Sequence, residues 1–198
     1  MTMPTLINNT KHKELESALK KAYSTAQQAL LLMSEDEGEV NPKYYRVRKF
    51  SDAYSKYFNK VLNCGYSSTL PKPCTSASNY KNYNNTSNVN GGYLDDGQFV
   101  LADGMTFFIQ NENGDPNMDR SNSLCITIDI NGANKRPNKW GHDLFTFQLM
   151  NNGQLAPMGQ EGTDFYEKEC SKTSNSSRNG IGCTYKALTD ADYWNTLP

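Results

Sequence analysis

The densest run of oxygen-bearing side chains in the sequence is Asp129-Ile130-Asn131-Gly132-Ala133-Asn134, continued through Asn138 to His142-Asp143. Side-chain oxygens at alternate positions, followed by glycine, are how a loop presents ligands to Ca²⁺, which takes about 6–8 of them. Asp129, Asn131 and Asp143 are the candidate ligands, and calcium is the candidate cofactor. The EF-hand pattern is not met, because Lys135 and Arg136 intrude and no Glu stands at the twelfth position. The same residues also read as a long inter-strand loop, in which Asp and Asn satisfy nearby backbone and Gly132 supplies positive φ. Both readings stand at this point.

Asp95, Asp96, His142 and Cys125 have types that catalysis uses. Asp95-Asp96 is a carboxylate pair, and adjacent like charges raise one pKa. Neighbours on a strand point to opposite faces, however, and Gly97 signals a turn. His142 beside Asp143 has the types of a base and its orienting acid, but no Gly-x-Ser-x-Gly elbow accompanies them. Cys125 lies in the apolar run Leu124-Cys125-Ile126, where a thiol is inert. A hydrolase built on Asp95, Asp96 and His142 is therefore a weak reading, and the chain is expected not to be an enzyme. Tyr80, Tyr83 and Tyr93 stand in an Asn- and Tyr-rich stretch with the composition of adaptable recognition surfaces. They are the candidate binding residues of an exposed 65–92 loop, for a sugar or a protein surface. A solvated, variable loop is the alternative.

Cysteine spacing constrains the elements around these groups. Cys64 and Cys74 bracket a turn-rich segment, Cys170 and Cys183 bracket a Ser/Asn/Gly loop, and Cys125 is left over. The expected partition is two locally closed disulfide loops and one buried thiol, in an oxidising compartment. Zinc would want close Cys pairs or clustered His, and only His12 and His142 are present. A net charge of -1 over 198 residues gives no field for a phosphate backbone, so nucleic acid is excluded as a partner. The longest apolar run, Ala29-Leu30-Leu31-Leu32-Met33, falls far short of the roughly 20 residues that span a bilayer, and predicts a soluble chain.

Periodicity then predicts the elements. Leu15, Ala18/Leu19, Ala22, Ala26, Ala29/Leu30 and Met33 recur at three- and four-residue steps, a helix from residue 5 to about residue 35. A second helix is expected over 49–63, with Phe50, Ala53, Tyr54, Tyr57, Phe58, Val61 and Leu62 on one face. Apolar runs at 99–102 and 105–109 flank the hairpin signal Asp103-Gly104, and further strands are expected at 124–130 and 144–149. Asn113-Gly114-Asp115-Pro116-Asn117 reads as a turn. Helices first and sheet afterwards argue one α+β domain over 1–198, with antiparallel sheet and a C-terminal loop over 98–198. Met1 to Ile7 are more apolar than the charged segment that begins at Asn8. They read either as a cap on the core or as the end of a longer apolar helix.

Met3-Pro4-Thr5-Leu6-Ile7, followed by the stretch from Leu15 to Leu30 with its Lys21-Ala22-Tyr23-Ser24, resembles the first helix of type IV pilins and type II secretion pseudopilins. Leu101-Ala102-Asp103-Gly104-Met105, Asp129-Ile130-Asn131-Gly132, Pro137-Asn138, Gly141-His142-Asp143-Leu144-Phe145 and Gly182-Cys183-Thr184 are similar to blocks that recur in this order in prepilin-type proteins. The prepilin cleavage site, the acidic residue after it and some twenty apolar residues are not in the sequence. The resemblance implies a pilin-like fold, a long helix across an antiparallel sheet with a cysteine-closed C-terminal loop, residues 1–35 being the C-terminal half of that helix. It further implies a bacterial filament subunit, with other pilin or pseudopilin subunits and inner-membrane assembly machinery as partners. Such a subunit waits in the inner membrane and then joins a periplasmic or extracellular filament. The isolated domain is expected to be monomeric. A minor-pilin or adhesin-type module using the 65–92 loop is the other expected role.

Overall fold

Leu19, Ala22, Ala26, Ala29, Leu30 and Met33 form one buried stripe, and the helix that carries them, α1 (Met3–Glu37), lies against a sheet. Half of the stripe is Ala, so the helix axis approaches the sheet closely, with Tyr23 stacking on Phe147 at 5.0 Å between ring centres. The structure is a computed structural model that describes residues 3–46, 48–59, 61–66, 72–111 and 124–198, with side chains from residue 10 onward. The turn expected at 113–117 lies outside the described residues, as do the side chains of Met1 to Ile7.

Six strands form one antiparallel meander in chain order: β1 (Val61–Gly65), β2 (Gln98–Leu101), β3 (Thr106–Asn111), β4 (Leu124–Asp129), β5 (Leu144–Leu149) and β6 (Leu155–Pro157). Period-two alternation assigns the faces. Phe107, Ile109, Ile126, Ile128, Phe145 and Phe147 enter the core under α1, while Phe108, Cys125 and Leu144 enter a second buried cluster on the opposite face. Short helices α2 (Lys49–Tyr54) and α3 (Thr184–Thr189) flank α1, and the Tyr54 hydroxyl donates to Ala26 O at 2.7 Å. The fold is α+β, as expected.

The two-sided burial corrects two expectations. The second helix does not run over 49–63: it ends at Tyr54, a 3-10 turn covers Ser55–Tyr57, and Val61–Gly65 is the edge strand β1 paired with β2. The loop expected to be exposed over 65–92 is anchored from residue 77 onward, because Tyr80, Val89 and Leu94 lie buried against the back of the sheet with Trp140, Met158 and Ile181, while residues 67–71 lie outside the described residues. Disulfides join Cys64 to Cys74 and Cys170 to Cys183, and Cys125 is a buried thiol outside both. Two disulfides place the folded chain in an oxidising compartment. Among the described residues no helix is long and apolar enough to cross a membrane.

Candidate functional site

Loop 129–143 joins β4 to β5 and is drawn together by the carboxylates at its two ends. Asp129 Oδ1 accepts from the backbone N–H of Gly132 at 2.8 Å and of Asn131 at 3.2 Å, and its Oδ2 accepts from the Tyr80 hydroxyl at 2.6 Å. Asp143 Oδ1 accepts from Lys139 N–H at 2.7 Å, and its Oδ2 from Asn138 N–H at 2.7 Å and Asn131 Nδ2 at 3.5 Å. Ile130 N–H donates to Asp143 O at 2.9 Å, closing the neck. The loop fits only because glycine stands where it turns. A Cβ on Gly132 (φ +85°) would meet Gly104 O at 2.6 Å, and one on Gly141 (φ +74°) would meet the Tyr83 ring at 2.7 Å.

Both carboxylates have no exposed surface. Burial pushes Asp129 up to about 6, against the downward pull of Tyr80 and the backbone donors. Burial, and then the charge of Asp129, push Asp143 up to about 7. Tyr80, pressed between desolvation and Asp129, is raised far above an ordinary tyrosine. His142 is pushed down to about 3, first by burial and then by Lys139.

The oxygen set can be tested as a cation site. Each carboxylate offers about four lone-pair directions, and three are already met by donors at each. One direction on each remains, and the side-chain oxygens of Asn131 and Asn138 are buried without a hydrogen-bond partner. Two anions that repel one another and two unpartnered amide oxygens suit a hard cation in donor chemistry, and calcium would need a few further oxygens. Asp129, Asn131 and Asp143 are thus brought together as expected. Asn138, 2% exposed, joins them. The backbone N–H groups of residues 131, 132, 138 and 139 also tie the loop to the two carboxylates. Among the described residues no group of three or more His, Cys, Asp or Glu side chains converges.

The remaining candidate residues are dispersed. Tyr80 and Tyr83 are buried, at 0% and 3% exposure, which corrects their expected role as a binding surface. Tyr80 serves Asp129, and Tyr83 stacks near Tyr193 and His142. Tyr93 is half-buried, edge-on to Trp140 and Phe165. Asp95 and Asp96 lie in the turn before β2. Asp96 accepts from Asn111 N–H at 3.0 Å and faces Arg48 at 3.7 Å, and burial raises both carboxyls. His142 Nε2 lies 3.2 Å from Tyr83 O, whereas both oxygens of Asp143 turn to donors in 131–139. The expected base and acid are neighbours in sequence but are not aligned. Asn138 and Tyr80 are the members of the loop network that spacing does not single out for it; the positive φ of Asn138 (55°) is a backbone property that Asn tolerates.

Residues 5–197 match the model of a family described as a family of unknown function (DUF6613), and the chain belongs to that family. No curated protein and no solved structure matches it.

Proposed function

We propose that this member of the family is a structural subunit of a type IV pilus or type II secretion filament, polymerising through an apolar helix continuous with α1. The observation that carries this reading is the way α1 is held. Its small and aliphatic stripe at 19–33 lies on the sheet, and its backbone stays helical from Met3. Its 35 residues span about 52 Å. An apolar helix ahead of Met3 would then be collinear with one the head already grips, and could enter a helical bundle without any refolding of the sheet. Two disulfides in locally closed loops suit a head that works outside the cytoplasm, in or beyond the bacterial periplasm. The same head offers the oxygens of Asp129, Asn131, Asn138 and Asp143 to calcium as a stabilising ion.

The test is the genomic sequence immediately upstream of the first codon, together with where the chain is found. In-frame codons for a short basic leader and about 20 apolar residues, and recovery of the chain in filaments sheared from the source cells, are the expected results. A cleavable secretory signal directly before Met1, with the chain recovered only as free protein, overturns the reading. At micromolar concentration the isolated domain is expected to scatter light as a monomer.

A further inference from the structure

Helix α1 carries its charges the wrong way round for its own stability. Its last turn and the residues after it hold Glu35, Asp36, Glu37 and Glu39, all exposed, and it has no basic residue in the last turn. Carboxylates at a helix C-terminus oppose the macrodipole. Their tyrosine hydrogen-bond partners among the described residues are neutral: Tyr57 donates to Asp36 at 2.8 Å, Tyr45 to Glu37 at 3.3 Å and Tyr44 to Glu39 at 3.2 Å. Among the described residues no ion pair joins any of the four to a cation. One turn earlier, Leu31 and Leu32 are 59% and 49% exposed.

The opposite end of the head has the complementary character. A groove of about 410 Å³ runs between α1, the β2–β3 turn and loop 129–143, bordered by Lys11, Lys21, Lys135 and Arg136 against Glu14 and Asp103. Lys21 and Asp103 neutralise each other at 2.7 Å. Lys11, Lys135 and Arg136 are exposed and, among the described residues, have no ion-pair partner. The floor is apolar, with Leu15 and Ile130. From Lys11 to Asp36 is about 38 Å along the helix, several screening lengths of about 8 Å at physiological salt. The two patches therefore cannot satisfy one another within one copy.

We propose that the acidic end of α1, with Leu31 and Leu32, docks into the Lys11/Lys135/Arg136 groove of a second copy of this chain. The two patches are different and lie at opposite ends of one axis, so the contact is heterologous and each copy keeps a free patch of each kind for the next copy. It deepens the filament reading and rests on it for its biological setting. Ion pairs on a surface are individually weak, so the contact orders copies that a stronger interaction has already brought together.

The experiment is zero-length carbodiimide crosslinking of concentrated chain at low salt, with isotope-labelled and unlabelled copies mixed and the linked peptides mapped by mass spectrometry. The expected product joins the 35–39 peptide of one copy to Lys135 or Lys11 of the other. It is lost at about 1 M salt, where screening acts within about 3 Å. Read at the reacting groups each variant keeps, the Lys11 linkage in Lys135→Glu/Arg136→Glu and the Asp36 and Glu37 linkages in Glu35→Lys/Glu39→Lys each fall about tenfold or more, as like charges are brought face to face. Mixing the two reversed chains restores a crosslink. Unfolding midpoints of the variants no lower than the parent's establish that they fold, and that of Glu35→Lys/Glu39→Lys is expected to rise. Linkage within one copy only, reversed chains that crosslink like the parent, or a groove that binds heparin or anionic vesicles while the 35–39 peptide stays unlinked would each overturn the proposal. An upstream apolar helix without this crosslink removes the contact and leaves the filament reading standing; the crosslink without that helix does the reverse.

Discussion

The buried carboxylates of loop 129–143 make stability fall as pH rises; with His142 they set most of the fall, and Asp95 and Asp96, raised by burial, add to it in the same direction. Asp129 and Asp143 titrate near 6 and 7 in the folded chain against 3.8 as ordinary carboxyls, and His142 near 3 against 6.5. A carboxyl whose folded pKa is raised stabilises the fold below its unfolded pKa and loses that contribution as pH rises through the folded value. A histidine whose folded pKa is depressed acts oppositely: the folded state is favoured above the unfolded pKa, and the advantage shrinks as pH falls. Between about pH 4 and 6 the folded chain holds two carboxyl protons that the unfolded chain lacks, and lacks one imidazole proton that the unfolded chain holds. The net is one extra proton, so stability falls by about 1.4 kcal/mol per pH unit, roughly 3 kcal/mol across the window. From about pH 6 to 6.5 the opposing contributions cancel, a small further fall extends to about 7, and the curve is then flat. Urea unfolding in chelator across that range measures it directly. His142→Gln, which can still donate to Tyr83 O, removes the opposing group and roughly doubles the fall. Calcium added above pH 7 at about 100 times its dissociation constant returns about 2.7 kcal/mol if the oxygens hold it, and nothing near pH 4, where both carboxyls are protonated. Stability in chelator that is equal or higher at about pH 8 than at about pH 4.5 would refute the reasoning.

Three further outcomes are expected of the same structure. Tyr80→Phe removes the 2.6 Å donor to Asp129 and should cost about 1.5–3 kcal/mol above neutral pH, where that carboxylate is charged, and less in acid; chemical unfolding at the two pH values compares them. Gly182→Ala drives a Cβ into Lys168 O, a backbone atom that cannot step aside, so an unfolding midpoint within a degree or two of the parent would contradict the packing. Replacing Cys170 and Cys183 by Ser opens a loop with a sequence separation of 13, worth about 3 kcal/mol on chain-entropy grounds, read as a lower denaturation midpoint with little change in monomer fraction.

Legibility in the sequence divides by how far each residue's partner lies along the chain. The α1 stripe is legible because its spacing is itself the signal, and β4 and β5 because Ile126, Ile128, Phe145 and Phe147 alternate within one run. The 49–63 stretch misleads because Tyr54, Tyr57, Phe58 and Val61 keep a helical spacing across a boundary set by tertiary pairing, with Val61 opposite Leu101 and Cys64 tied to Cys74. The Asn- and Tyr-rich segment misleads for a different reason. Composition counts Asn82 as solvated, yet its side-chain oxygen accepts from Thr86 and Ser87 N–H at 2.8 and 3.1 Å, and its nitrogen donates to Ser176 O at 3.1 Å, 94 residues away. A polar group whose hydrogen bonds are all met can be buried with little penalty, and that distant partner is invisible to local reading. Asp129 and Asp143 lie between the extremes: their loop is recognisable from types and spacing, but the hydroxyl serving Asp129 comes from Tyr80, 49 residues earlier. The inverse inference holds for Glu35, Asp36, Glu37 and Glu39. Buried polar groups such as Asn82 and Asp129 find partners however far along the chain those lie, whereas these exposed carboxylates oppose their own helix and meet no cation among the described residues. A cost left uncompensated within one copy is the physical ground for seeking its compensation in another.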